Sequence, residues 1–291
     1  MKIIAFGEII WDVYPDEALL GGAPLNFCAD LTALNHDVCL YSAVSENDSY
    51  GKLSLDALDR YNIKKNFIQK NNAPTGHCDV TLDENKVPCY NIVTDCAYDN
   101  LTVGDEVVNA VKAENADLFY FGTLVQRSEM SRRTLKTIVK SCRFADIFCD
   151  INLRKNCYDS DSVAYCLEHA SFFKLSDGEL DELVKMGFLT EGKSNDDSLK
   201  ELCKKYPNIK YAILTLGKDG SVVYDSVSGT LCHSGKPDDV NVVSTVGAGD
   251  CYGASFYHAV SSGMSVKDAV RFATERSNIV VSHKEAIPFW Q

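Results

Sequence analysis

The chain has 291 residues, 45% of them hydrophobic and 24% charged, a balance that supports a sizeable buried core. Lys and Arg number 29 against 41 Asp and Glu, and the formal charge of −12 repels phosphate backbones, so nucleic acid and anionic membranes are set aside as partners. A small phosphorylated ligand is not excluded, because a few backbone amides and cations can hold one against the global field.

The opening apolar run breaks at Gly7 and Glu8, too early for a signal peptide, and predicts a strand near 2–6. A helix near 24–34, a strand near 38–43 and a helix near 47–61 follow. Residues 77–82 and 89–93 alternate in character about a polar turn at 83–86, the pattern of a hairpin. With a stretch at about 9–20, the segment 75–98 reads as a β lid inserted in one α/β domain spanning 1–291. From residue 117 onward, apolar runs at 117–121, 146–149, 172–175 and 211–215 alternate with amphipathic stretches at 128–141, 159–169, 176–186 and 195–205. Two further helices are expected near 249–262 and 265–282. Strands separated by helices predict a doubly wound, mostly parallel sheet flanked by helices on both faces. No apolar run approaches the roughly 20 residues of a membrane helix. Twelve cysteines without C-x-x-C spacing read as reduced core residues, and six scattered histidines form no zinc motif. The expected location is cytoplasmic.

Three glycine loops ask for a chemical reading. Residues 187–194 satisfy G-x-x-x-x-G-K-[ST], but a phosphate cradle needs a buried strand before it. Here an amphipathic helix precedes it, and Phe188, Leu189 and Glu191 occupy the loop, so the match is fortuitous. Gly217–Gly220 follows a strand and reads, alone, as a hairpin turn. The third loop, Ser244 to Asp250, runs into a helix. Small residues Gly247, Ala248 and Gly249 allow close approach of a ligand, and the helix start aims free N–H groups at it, which makes an anion site. Tyr252 stands where a dinucleotide fingerprint needs its last glycine, which excludes that use. Asp250 is a carboxylate inside an anion site. It serves either as a base for a hydroxyl attacking a phosphate or as an early-helix acid, and the loop alone does not choose.

Beyond this loop stand Gly7-Glu8-Ile9-Ile10-Trp11-Asp12, Gly21-Gly22-Ala23-Pro24-Leu25-Asn26-Phe27, Pro74-Thr75-Gly76, Ala97-Tyr98-Asp99, Asp150-Ile151-Asn152-Leu153-Arg154 and Thr215-Leu216-Gly217-Lys218-Asp219-Gly220. In this order, with Thr245-Val246-Gly247-Ala248-Gly249-Asp250, the chain resembles the ribokinase-type (phosphofructokinase-B) family of carbohydrate kinases nearly end to end, and within it the fructokinase-like members. The resemblance implies transfer of the ATP γ-phosphoryl to a sugar primary hydroxyl, with Asp250 as general base and the Gly247, Ala248 and Gly249 amides holding the developing charge. It implies that Asp12 receives sugar hydroxyls, with Gly22 and Asn26 close against the sugar. Arg154 then touches sugar or phosphate, or else pairs with Asp150. On the ATP side it implies Thr215, Gly217 and Gly220 around the phosphates, Lys174 as a nearby cation, and adenine near Asn278 and Ser282. Ser176 begins a run where the family has Asn-x-x-Glu, so Glu179 would orient Mg²⁺ through water.

Ser176 replaces that Asn, Ser244 replaces an Asp, and Glu285 replaces a Gly. The last two regions frame a monovalent-cation site in many relatives, so potassium dependence stays open. Fructose is the favoured acceptor, with ribose, 2-keto-3-deoxygluconate or another ketose as runners-up and a nucleoside as a third reading. A non-catalytic sugar or nucleotide sensor of the same fold is the alternative from another class. The lid hairpin either covers the sugar alone or pairs with a second copy across a two-fold axis, and a homodimer is the assembly expected here.

Overall fold

Burial on both sides explains why the central strands read as unbroken apolar runs. In β1 (Lys2–Phe6), Ile3 and Ala5 pack into one helical layer and Ile4 and Phe6 into the other. The computed structural model describes residues 1–82, 88–235 and 240–288. Its other strands are β2 (Ile10–Val13), β3 (Ala18–Gly21), β4 (Asp37–Ser45), β5 (Ile68–Asn71), β6 (His77–Leu82), β7 (Pro88–Ile92), β8 (Leu118–Gly122), β9 (Asp146–Asp150), β10 (Phe172–Ser176), β11 (Tyr211–Thr215), β12 (Ser221–Asp225) and β13 (Thr230–His233). The helices are α1 (Ala23–Ala33), α2 (Ser49–Arg60), α3 (Asp105–Glu114), α4 (Glu129–Ser141), α5 (Ser160–His169), α6 (Asp177–Lys185), α7 (Asn195–Lys205), α8 (Ala248–Ser261) and α9 (Val266–Val281).

Nine described strands form the main sheet in the order β13-β12-β11-β10-β9-β8-β1-β4-β5. All pairs are parallel except β11–β12 and β12–β13. The chain therefore winds outward from β1 to β5 and then returns to β8 to wind the other way. The doubly wound, mostly parallel α/β fold is present, and its switch point lies between β1 and β8, where ligands of such sheets bind at the carboxyl ends. One core layer packs α1, α8 and α9 on the sheet, and the other packs α3 to α7.

A second sheet, β3-β2-β6-β7, contains the expected hairpin, whose turn at 83–86 lies outside the described residues. Trp11 fastens this sheet to α2: its ring stacks on Tyr50 with centroids 5.1 Å apart, and its indole N–H donates to Ser54 Oγ at 2.9 Å. Asp48, the N-cap of α2, accepts from the Gly51 N–H and from both the N–H and the hydroxyl of Thr75, at the entrance to β6. Eleven described cysteines are free, and of these only Cys232 is not buried.

Three described elements went unexpected. Strands β5 and β13 are short and lie at the two sheet edges, where half-exposed residues dilute the apolar signal. Helix α3 buries Val108 and Val111, with Val107 partly buried beside them. The 187–194 segment joins two helices, α6 and α7, and Ser194 caps α7 by accepting the Asp197 N–H, so no strand feeds a phosphate loop there.

Candidate active site

The floor of the site is set by strand register. Tyr120, Phe148, Phe172 and Tyr211 are direct cross-strand partners on β8, β9, β10 and β11. Their rings, joined by Phe27 from α1 at 4.3 Å from Tyr120, form a row under α1 and α8. Two residues further along each strand, on the same face, the partners are Gly122, Asp150 and Lys174. Apolar support thus gives way to charge in one step. Lys174 Nζ donates to Asp150 Oδ2 at 2.7 Å, and the two side chains are only 7% and 3% exposed. Burial alone would lower Lys174, but Asp150, Glu179 and Asp250 hold its ammonium charged. Asp150 therefore pairs with Lys174, not with Arg154.

Helix α8 begins over this pair. Gly247 precedes it in the left-handed region at φ 80°, and a Cβ there would lie 2.5 Å from the Ala286 carbonyl oxygen. A Cβ on Gly249 would lie 3.1 Å from Lys174 Nζ, so the ammonium stands against the first turn of α8. Asp250 is in that turn, and its Oδ2 accepts from Asn26 Nδ2 of α1 at 2.7 Å. Burial raises the proton affinity of Asp250, while Lys174, Asn26 and Arg154 restrain it. The result is a carboxylate that is a stronger base than a surface aspartate and still faces two cations.

Two spaces lie on either side of the loop that leads into this turn. A cavity of about 630 Å³ is lined by Ser176, Thr215, Gly217, Gly220 and Asn278, which the resemblance puts on the ATP side, and by Ala248 and Gly249 of the expected anion hole, while Lys174 and Gly247 are not in its lining. Lys218, Thr245, Tyr252, Thr274, Ser277 and Val281 also line it, none of them expected. Thr274, Ser277 and Val281 sit on α9 at helical spacing with Asn278, a signal that the sequence carried. Ser282 is absent from this lining; it is exposed, and its hydroxyl donates to the Ile279 carbonyl. A smaller pocket of about 200 Å³ lies beneath the second sheet, between Asp12, Tyr14, Glu17, Leu19 and Leu20 on one side and Val243, Ser244, Val246, Lys284 and Ala286 on the other. The 243–249 loop is the partition, with Val246 facing the small pocket and Thr245 the large one.

Burial raises Asp12, and Arg154 pulls it back. Arg154 is exposed, and its charge also reaches Glu8 and Asp250. Gly22 caps α1, with Asn26 one turn on. Glu179 accepts the Leu153 N–H at 2.6 Å and the Ser176 N–H at 2.7 Å, one on each carboxylate oxygen. Those bonds make it the N3 partner of Ser176 at the start of α6. Among the described residues no group of three or more His, Cys, Asp or Glu side chains converges as a metal cage, and no helix is long and apolar enough to cross a membrane.

A model of the pfkB family of carbohydrate kinases matches residues 13–291. Fructokinase-2 of Oryza sativa subsp. japonica is 25% identical over 313 residues, covering 98% of this chain and 90% of that protein. A 5-dehydro-2-deoxygluconokinase of Clostridium tetani is also 25% identical, covering 99% and 90%. Among solved structures, a fructokinase double mutant of Vibrio cholerae O395 in its fructose, ADP and potassium ion bound form superposes with a TM-score of 0.79 at 17% identity, covering 98% of this chain and 94% of that one.

Proposed function

Because the chain belongs to the pfkB family of carbohydrate kinases, we propose that it transfers the γ-phosphoryl of ATP to a primary hydroxyl of a free sugar, fructose being the favoured acceptor. The observation that carries this reading is the loop entering α8, which borders one space on each side, Thr245 lining the larger and Val243, Ser244 and Val246 the smaller. Ala248 and Gly249 line the larger cavity, while Asp250 in the same turn is held by Asn26 outside that lining. ATP occupies the larger cavity, with its phosphates toward Thr215, Gly217 and Gly220 and its base along α9 near Asn278. The acceptor lies under the second sheet, with hydroxyls on Asp12 and its reacting oxygen at Asp250.

Asp250 removes the hydroxyl proton as the new O–P bond forms, and the β–γ bridging oxygen leaves with ADP. The first amides of α8, with Lys174 behind them, hold the charge on the transferred group; one such donor contributes about 3 kcal/mol in comparable anion holes. A magnesium ion bound with ATP would supply neutralisation of the β- and γ-phosphate charge. Each Glu179 oxygen accepts one backbone N–H and keeps a further lone pair, so Glu179 would hold such an ion through water. The lid sheet excludes water from the acceptor. It also pairs two copies into a dimer, which sedimentation at micromolar concentration checks.

The test is ADP release from Mg-ATP across D-fructose, D-ribose and 2-keto-3-deoxygluconate, with and without potassium. Highest kcat/KM on fructose is expected. Faster turnover on 2-keto-3-deoxygluconate would transfer the acceptor role to a sugar acid, a reading favoured by the exposed Arg154, whose charge reaches Asp12 and Asp250, and would keep the chemistry. ATP binding without sugar-dependent ADP release would overturn Asp250 as a working base.

A further inference from the structure

Glu8 has no part in the reaction as described, yet its carboxylate is buried beside the site. It follows β1 at the switch point and is only 4% exposed. A Cβ on Gly22, at φ 112°, would lie 2.7 Å from the Glu8 carbonyl oxygen, so the cap of α1 rests directly on the Glu8 backbone. The Ala23 N–H, first in α1, favours the ionised Glu8 carboxylate, as does the N–H of Glu8 itself. One turn along α1, Asn26 donates to Asp250. Two hydroxyls near Glu8, those of Tyr98 and Tyr120, are buried without a hydrogen-bond partner. The charge of Glu8 raises both, and Asp250 and Asp150 also face Tyr120.

We propose that Glu8 is a positioning residue of the phosphoryl-transfer site, anchoring the first turn of α1 so that Asn26 holds Asp250, and presenting its own charge to Asp250 through the buried floor. This rests on the reading of Asp250 as base. The groups that face Glu8 are Asp250 from α8, Arg154 beyond β9, Tyr120 of β8, and Tyr98 before α3. Burial pushes Glu8 up to about 7, with Asp250 adding to the rise and Arg154 opposing it. An ionised Glu8 makes Asp250 harder to leave ionised, so it strengthens the base; a protonated Glu8 relaxes it.

Difference infrared titration of the whole protein through the neutral range, without acceptor, reads this coupling. Burial pushes Asp150 up to about 7 as well, so the Glu8 band is the near-neutral carboxyl band that survives Asp150→Asn and is lost in Glu8→Gln. In Asp250→Asn the same band is expected to titrate at lower pH, because a like charge is gone. Retention of the band in Glu8→Gln, or no movement in Asp250→Asn, overturns the proposal. The Asp250→Asn arm decides it even if Glu8→Gln does not fold. With the best acceptor of the sugar panel, Glu8→Gln is expected to lower kcat about tenfold, to leave KM for ATP within about twofold, and to remove the near-neutral inflection of kcat. Wild-type kcat with an unchanged pH profile would also overturn it. If Asp250→Asn keeps full turnover while its infrared shift is seen, the base reading fails and the coupling stands. If Asp250→Asn is inactive and Glu8→Gln is silent in both measurements, only the Glu8 inference fails.

Discussion

The two spaces on either side of the α8 start are built from different kinds of material. The larger cavity is walled by strand ends, turns and a helix face that all come from residues 176–281, and many of its lining residues are small. The smaller pocket joins strands β2 and β3 to the 243–246 loop and to residues 284–286, and side chains from both ends of the chain make its walls. An ion pair of 2.6 Å, Lys284 to Glu17, spans the same gap. A phosphate-binding wall can be local because backbone amides at a helix start are supplied by any sequence that turns correctly. Selecting an acceptor takes individual side chains brought from far apart, which is why the reaction is easier to read than the sugar.

Substitutions separate the two sides. Asp250→Asn, at the partition, is expected to lower kcat by about 10²–10⁴-fold, with ATP affinity by calorimetry unchanged; equal turnover would break the assignment. Lys174→Met would strand Asp150 as a buried unpaired charge and is expected to cost about 3–5 kcal/mol in urea unfolding, with part recovered when Asp150→Asn is added. Full stability of the single variant would mean that the pair at 2.7 Å is not held as an ion pair. Asp12→Asn tests the acceptor side alone: KM for the sugar should rise about 10–100-fold while KM for ATP stays put. A matching rise for ATP would merge the two spaces.

The smallest expected effect concerns how the lid is tied down. Burial alone would raise Asp48, but the Thr75 and Gly51 N–H groups and the Thr75 hydroxyl hold it below its ordinary 3.8. A depressed folded value means that this tie is intact above pH 3.8 and is lost as pH falls through the folded value. Acidification is therefore expected to raise hydrogen exchange in β6 before that in β9 and β10, and Asp48→Ala to cost about 1 kcal/mol. Simultaneous loss of protection in all three strands would show that the lid has no separate fastening.

Much of this protein could be read from neighbouring residues. The unbroken apolar runs specify strands buried on both faces, because a parallel sheet covered by two helical layers admits no polar alternate face. Gly247 to Asp250 reads as an anion-binding helix start because the N–H groups concerned belong to consecutive residues. The false phosphate loop at 187–194 could be set aside for the same local reason. Where partners lie far apart, sequence alone fell short. It left Arg154 as a candidate partner of Asp150, whereas the register of β9 on β10 places Lys174 opposite Asp150. It gave Asn26 a place near the sugar by resemblance alone, and that Asn26 donates to Asp250, 224 residues away, follows only from the packing of α1 on α8. It quoted Glu8 only as part of a strand-end motif, since nothing in its neighbours shows that the cap of α1 closes over it. Periodicity and turn chemistry act over a few residues and were legible from the chain. Which charge faces which is decided by sheet register and helix packing, which only the tertiary structure supplies.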